Sequence, residues 1–408
     1  MNKLKPENIR TNFPALQNEW IYMDNAGGTQ VARQVGERLN DYLYNTNVQL
    51  GATYDISVRS GKRVEEAQHK WAEVINAQQK EEVVFGSSTS QLLKNLSKSL
   101  VQTFQPGDEV IVTDSDHEAN VGPWMEMEKH GIKVKVWKIN TESLKPELDD
   151  LKQLLTGKTR LLAFTHVSNI LGTINPVKEI TEIAHANGTM VCVDGVAATP
   201  HRLPDMQLLD VDFYVFSLYK VFGPHYSLLY GKKQILDELP GINHFFIDET
   251  PYKLQPGNVN YELSYSLLGI LDYLKALAAA SGIDAFAADR QKISALYVQI
   301  ADYEEELGKP LIDFLKSNKD LRIIGEASAD KTLRVPTVSF VSGSIKSSEI
   351  PAKVDSHKIG IRWGDFYARR LIESLGLQEQ DGVVRVSLVH YNTKEEVDKL
   401  IAAFNEIL

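Results

Sequence analysis

The 408-residue chain holds one cysteine, Cys192, so no intrachain disulfide can form. That cysteine sits between valines in "MVCVDG", where a buried thiol is expected to be inert. No cluster of lysine and arginine occurs. With 44 basic against 54 acidic residues the net charge is −10, which sets nucleic-acid binding aside. No apolar run approaches the ~18–20 residues of a membrane span. The N-terminus, "MNKLKPENIR", lacks the apolar core of a signal peptide. Neither a P-loop nor GxGxxG is present, and no repeat or low-complexity tract appears. No metal site is assigned. These absences lead to the expectation of a cytoplasmic protein with neither nucleic-acid nor membrane partners.

What is present reads as an ordinary globular composition, 43% hydrophobic and 24% charged, in a chain long enough for two or more cores. Short apolar runs at 82–86, 109–113, 132–138, 160–166, 189–194, 211–217 and 227–231 read as strands. Several are continuous, as in strands covered on both faces. Helical patterns lie between most of them, including 62–76, with Val64, Ala67, Trp71, Val74 and Ile75 on one stripe, and 176–188. This alternation predicts an α/β fold with a mainly parallel central sheet covered by helices. After about residue 258 the pattern changes to a long helical stretch (261–306), short strands at 321–326, 337–342 and 383–389, and a final helix (393–407). The expected division is a large α/β domain over 1–260, opening with an arm of about 20 residues, and a linking helix with a small α+β domain over 261–408. Chemistry is then expected at the carboxyl ends of the strands and in the interdomain cleft.

Polar residues gather where that rule points. "GSSTSQLLKNL" (86–96) places Ser88 and Thr89 at a helix start, either a phosphate cradle or an ordinary N-cap. His117 follows the strand at 109–113. Asn169 follows the strand at 160–166, where an Asn is usually just a turn residue. Asp194 ends a buried strand, an expensive place for a carboxylate without a partner. Ser217 and Lys220 close "VDFYVFSLYK". Phosphate donors, a ring, a carboxylate and an amine at strand ends of one sheet suit an anionic, aromatic, aldehyde-bearing cofactor such as pyridoxal 5'-phosphate (PLP).

The motifs "YMDNAGGTQ" (22–30), "DHEANVGPW" (116–124), "THVSNILGTINPVKEI" (165–180), "VCVDG" (191–195), "DVDFYVFSLYKVFGP" (210–224) and "VVRVSLVHYNTKEEVDKL" (383–400) resemble the class V aminotransferase family of PLP-dependent enzymes, fold type I. The likeness is to the cysteine desulfurase-like branch. It implies that Lys220 forms the Schiff base and later moves the substrate's α-proton. Asp194 would pair with the ring nitrogen, and His117 would stack on the ring. Asn169 would sit near the substrate or the ring hydroxyl. Ser88, Thr89 and Ser217 would hold the phosphate, and Arg385 the substrate α-carboxylate. Asn258, in "QPGNVNYEL", matches a loop that reaches a neighbouring subunit's phosphate, which implies a homodimer.

The departures bear on the reaction. Desulfurases carry a cysteine in the loop that corresponds to "IGIRWGDFYARRL" (359–371), and here that position is Tyr367. Ala197 stands where a glutamine would bond the ring hydroxyl. Tyr219 replaces the histidine before the lysine and is expected to bond the phosphate instead. Tyr54, Arg59, Trp363, Asp365 and Tyr367 are candidates for shaping the substrate pocket, with Asp365 read as a solvated or capping residue. The expected activity is a C–S lyase acting on cysteine or a derivative by β-elimination. The alternatives are an aminotransferase or epimerase, a desulfurase using an external thiol acceptor, and a non-catalytic fold relative.

Overall fold

The computed structural model describes residues 4–283 and 288–408. Its centre is a seven-stranded sheet built from β1 (Val83–Gly86), β2 (Glu109–Thr113), β3 (Lys133–Trp137), β4 (Thr159–Thr165), β5 (Met190–Asp194), β6 (Phe213–Ser217) and β7 (Ser227–Gly231). The spatial order is β1-β7-β6-β5-β4-β2-β3. Strands β3, β2, β4, β5 and β6 run parallel, and β7 is antiparallel to both β6 and β1. All seven strand expectations are met within two residues at either end. The continuous apolar runs have the cause inferred from sequence. In β2, Val110 and Val112 enter one core while Ile111 enters the other; in β4, Leu161 and Ala163 oppose Leu162 and Phe164. Each face needs its own apolar set because a period of two sends neighbours to opposite sides.

Helices α1 (Arg33–Asn45), α2 (Asp55–Val74), α3 (Thr89–Leu100) and α4 (Val177–Ala186) flank this sheet. Helix α2 starts seven residues before its expected stretch but turns the expected stripe inward, burying Ala67, Trp71 and Val74, with Val64 packed at the edge. Trp71 lies 6.0 Å from Phe216 of β6. Among the described residues, the single long helix expected over 261–306 is instead α5 (Tyr261–Ser266), α6 (Leu268–Ala280) and α7 (Asp289–Ser317), and 284–287 lie outside them. Helix α7 runs past 306 and through Pro310, because Leu307, Leu311, Ile312 and Leu315 keep a helical spacing against the second sheet. The 20-residue stretch Tyr261–Ala280 is long and apolar enough to cross a membrane by length and composition, which the count of apolar runs did not register. Within the protein, 67% of its apolar window is buried.

The second sheet comprises β8 (Leu321–Ile324), β9 (Thr337–Ser342), β10 (Arg362–Gly364) and β11 (Val383–Ser387), in the order β8-β9-β11-β10 and antiparallel throughout. Helix α8 (Lys394–Ile407) covers it, started by a capping box of Thr393 and Glu396. The beginning of the chain is stitched to this side: Ile21–Tyr22 pairs in parallel with Ile359–Gly360, and Asp24 bridges to Ser387. Thr29 N–H then donates to the Tyr219 carbonyl at 3.1 Å. The first thirty residues therefore tie the end of β11 to the turn that carries Lys220.

Candidate active site

Strand β6 ends at Ser217, and a tight turn over Leu218–Lys220 follows. The chain then reverses through Phe222, whose φ of 62° is held by a 2.9 Å hydrogen bond from its N–H to the Thr29 hydroxyl. A Cβ at Gly223 would lie 2.5 Å from Ile270 Cδ1 of α6 and 3.0 Å from the Leu218 carbonyl oxygen, so a larger residue there would make the turn or the Ile270 side chain shift. This packing leaves Lys220 buried at the lip of a cleft with about 520 Å³ of unfilled space, part of it open to solvent. Burial, and then the nearby Arg385, push the Lys220 amine down to about 8, against the pull of Asp194 and Asp24. Tyr219 lines the same cleft, its ring stacked on His225 at 4.7 Å and its edge against Gly28.

At one end of the cleft lies the start of α3. The Ser88 hydroxyl caps it by accepting from Gln91 N–H at 3.1 Å. Beside it the Thr89 and Ser217 hydroxyls are 2.7 Å apart, and Ser227 lies 3.2 Å from Ser217 and 3.4 Å from Thr89. The Thr89 and Ser217 hydroxyls and the N–H groups of a helix start form a site for an anion, with Ser227 bonded behind them. Ser227 escaped the sequence reading. It opens a strand with no motif of its own, and only its pairing with Ser217 brings it here.

At the other end stands Asp194, whose Oδ1 accepts from Val196 N–H at 2.8 Å. Burial raises its carboxyl to about 6. His117 follows β2, with Nδ1 accepting from Ala119 N–H at 3.0 Å. Burial, with Lys220 and Arg385 nearby, lowers it to about 4, so the ring facing the cleft is uncharged at neutral pH. Behind it lies Asp116, which is buried and was quoted in the motif but given no part by the sequence reading.

Arg385, on β11, is also fully buried. Nη1 donates to the Asn169 carbonyl at 3.1 Å and Nη2 to Asp24 Oδ1 at 2.9 Å, while Nε has no partner. Its guanidinium lies 3.7 Å from the centre of the Phe366 ring. Desolvation lowers it to about 10, against the pull of Asp24. Arg362 reaches the other oxygen of Asp24 at 3.4 Å. The Asn169 amide donates to the Phe366 carbonyl at 2.9 Å, so Asn169 holds both Arg385 and the loop. In that loop Phe366 and Tyr367 both take left-handed conformations, with φ of 49° and 60°. The Tyr367 side chain is 71% exposed yet only 5.3 Å from His117, ring to ring. Its carbonyl accepts from Glu118 N–H at 2.7 Å.

A family model for Aminotransferase class-V matches residues 21–400. The chain belongs to the class V aminotransferase family. Among curated relatives it is 43% identical to the aminotransferase-like protein FGM3 of Gibberella zeae, over 98% of each chain. It is 33% identical to the cysteine desulfurase-like protein ustD of Aspergillus flavus, over 100% of this chain and 91% of that one. The crystal structure of the cysteine desulfurase CsdA (S-sulfonic acid) from Escherichia coli superimposes with a TM-score of 0.84 at 27% identity, over 99% and 98% of the two chains.

This family member is a PLP-dependent enzyme of fold type I, and its residues fit the cofactor. The Thr89 and Ser217 hydroxyls and the helix start at Ser88 line one end of the cleft, a donor set suited to a phosphate. Asp194 is an acceptor suited to a protonated ring nitrogen, His117 offers a neutral ring, and Lys220 an amine of lowered basicity. Ser88, Thr89, His117, Asn169, Asp194, Ala197, Ser217, Tyr219 and Lys220 all line one cleft. Asn258 does not. It lines a separate hollow with Gln49, Phe85 and Tyr261. Arg385 reaches the site through Asn169, and Tyr367 through His117. Asp365 behaves as a cap, its Oδ1 accepting from Tyr367 N–H at 3.1 Å. Tyr54 precedes α2, Arg59 bonds the Asn45 carbonyl at 3.0 Å, and Trp363 lies half exposed on β10; none of them lines this cleft.

Proposed function

We propose that this enzyme is a C–S lyase that acts on cysteine or a cysteine derivative by β-elimination. One observation carries the reading. The loop position that bears a cysteine in the desulfurases holds Tyr367, and the sole thiol of the chain, Cys192, is buried inside β5 with its ionisation pushed well above the usual range. A buried neutral thiol accepts no sulfur, which favours departure of the sulfur with its own substituent.

The cofactor, when bound, supplies an electron sink for the pair left on the substrate's α-carbon. The chain's own residues do the rest. Arg385 takes the α-carboxylate, turned to it by Phe366, Asn169 and Asp24. Lys220 anchors the cofactor between turnovers. In the substrate complex its Nζ removes the α-proton. The Cβ–S bond then breaks, the electron pair stays with sulfur, and the proton taken up by Lys220 Nζ completes the thiol. The remaining three-carbon enamine loses ammonia in water and leaves pyruvate. His117, neutral and flat, covers one face of the site without adding a charge.

The experiment is a panel of S-substituted cysteines with product analysis by mass. Equal amounts of pyruvate, ammonia and thiol are expected. Alanine with persulfide or sulfide would show desulfuration to an external thiol, and a lasting amino form of the cofactor would show transamination.

The enzyme is further proposed to act as a homodimer. Support comes from the segment before Asn258, where Phe245, Phe246 and Tyr252 are 99%, 71% and 50% exposed beside the hollow that Asn258 lines. A second copy covering that face would bury these rings and could carry Asn258 to its neighbour's phosphate. Sedimentation at micromolar concentration tests this, with a monomer as the refuting result.

A further inference from the structure

Asp116 is 2% exposed, one residue before His117, and absent from the cleft wall. Its bonding pattern can be worked out from neighbours whose roles are fixed. The Trp124 indole can only donate, and it donates to Asn120 Oδ1 at 3.2 Å. That orients the Asn120 amide, so its NH₂ donates to Asp116 Oδ2 at 2.7 Å. The backbone N–H of Thr165, also only a donor, reaches Asp116 Oδ1 at 3.0 Å. The Thr113 hydroxyl adds a 2.8 Å bond to the same oxygen. Both carboxyl oxygens therefore face donors, a set that suits an ionised carboxylate. Thr113, Asn120 and Trp124 are themselves buried, so none of this is a surface turn.

Asp116 is linked to Asp194 across β4. Thr165, which it bonds, is the cross-strand partner of Asp194, and the Thr165 hydroxyl reaches the Asp194 carbonyl at 3.2 Å. Burial and then the charge of Asp194 push the Asp116 carboxyl up to about 8. A cation placed on Asp194 would cancel that repulsion and leave the three donors to hold the charge.

We propose that Asp116 is a positioning residue for the cofactor, a second buried carboxylate behind Asp194 that strengthens the hold of Asp194 on a protonated ring nitrogen. Nothing in the elimination reading uses Asp116. The inference rests only on the cofactor assignment.

The test is ligand affinity rather than turnover. Apoenzyme is titrated by fluorescence with PLP and with its deaza analogue, in which the ring nitrogen is replaced by CH. The affinity of the unaltered protein for PLP tests the cofactor assignment itself; the ratio between the two ligands tests Asp116. Asp116→Asn is expected to weaken PLP binding about tenfold, one unit of proton affinity at the ring nitrogen, and the analogue less than twofold. The new amide would face the Asn120 NH₂, but that cost falls on both complexes alike. Thr113→Val, which deletes one donor and keeps the shape, is expected to shift the ratio in the same direction by about threefold, and it serves if Asp116→Asn does not fold. Equal losses for the two ligands, or no loss for either, would overturn the proposal.

Discussion

The Arg385 guanidinium carbon lies over the Phe366 ring, 3.7 Å from its centre, although the two residues belong to different parts of the second half of the chain. Phe366 is the neighbour of Tyr367, so the arginine proposed to take the substrate carboxylate is braced by the loop that in desulfurases carries the thiol. Phe366→Ala should remove a cation–π contact of about 1–2 kcal/mol. The expected result is a rise in KM of about tenfold with kcat little changed, read from steady-state kinetics on any active S-substituted cysteine. A fall in kcat at constant KM would contradict the assignment of Arg385 to binding.

Lys220 should react as a neutral amine. Its pKa is depressed to about 8, so the uncharged form grows as pH rises through that value. The apoenzyme should therefore capture PLP faster with rising pH, levelling above about pH 9, as followed by borohydride trapping and mass spectrometry. Lys220→Ala should trap nothing at that site. A trapped adduct in the variant, located elsewhere in the chain, would displace Lys220 as the anchor.

Tyr367→Cys should give the native protein one rapidly titratable thiol. The unaltered protein should show none until it is unfolded, because Cys192 lies inside the sheet. Position 367 is exposed, its backbone already left-handed, and the loop is tied to Glu118 and Asn169. If the loop alone decides the reaction, the variant should also release alanine from cysteine. Wild-type product ratios in the variant would show that Tyr219 and Ala197 matter more.

Subunit sharing can be checked by complementation. Lys220→Ala disables a site through its own chain, whereas an Asn258→Asp change should disable the neighbour's site by setting a carboxylate against the phosphate. Mixed and reassociated, the two variants should recover about a quarter of the activity, since one hybrid site escapes both changes. No recovery, in a mixture shown to exchange subunits, would place Asn258 and Lys220 in the same site.

Much of this could be read along the chain because each feature is local. The parallel strands are legible since burial on both faces demands unbroken apolar runs. Ser88, His117, Asp194 and Lys220 follow such runs directly, so knowing where strands end is knowing where they point. Helix limits were less legible. The extent of α7 depends on Leu311 and Leu315 meeting the second sheet, and nothing near Pro310 announces that.

The sequence by itself determined the strand ends, the family motifs and the absence of a thiol from the 359–371 loop, because each is a property of residue type and spacing. Tertiary structure alone decided the rest. Ser227 joins the anion site through its pairing with Ser217, and Phe366 reaches Arg385 across a loop. Asp24 arrives from the start of the chain, and Asp116 stands behind Asp194 because β4 runs between them. Asn258 stays out of its own chain's cleft. Charge and hydrogen bonding act over a few ångströms of space, and these pairs are made neighbours only by the folding of segments far apart in sequence.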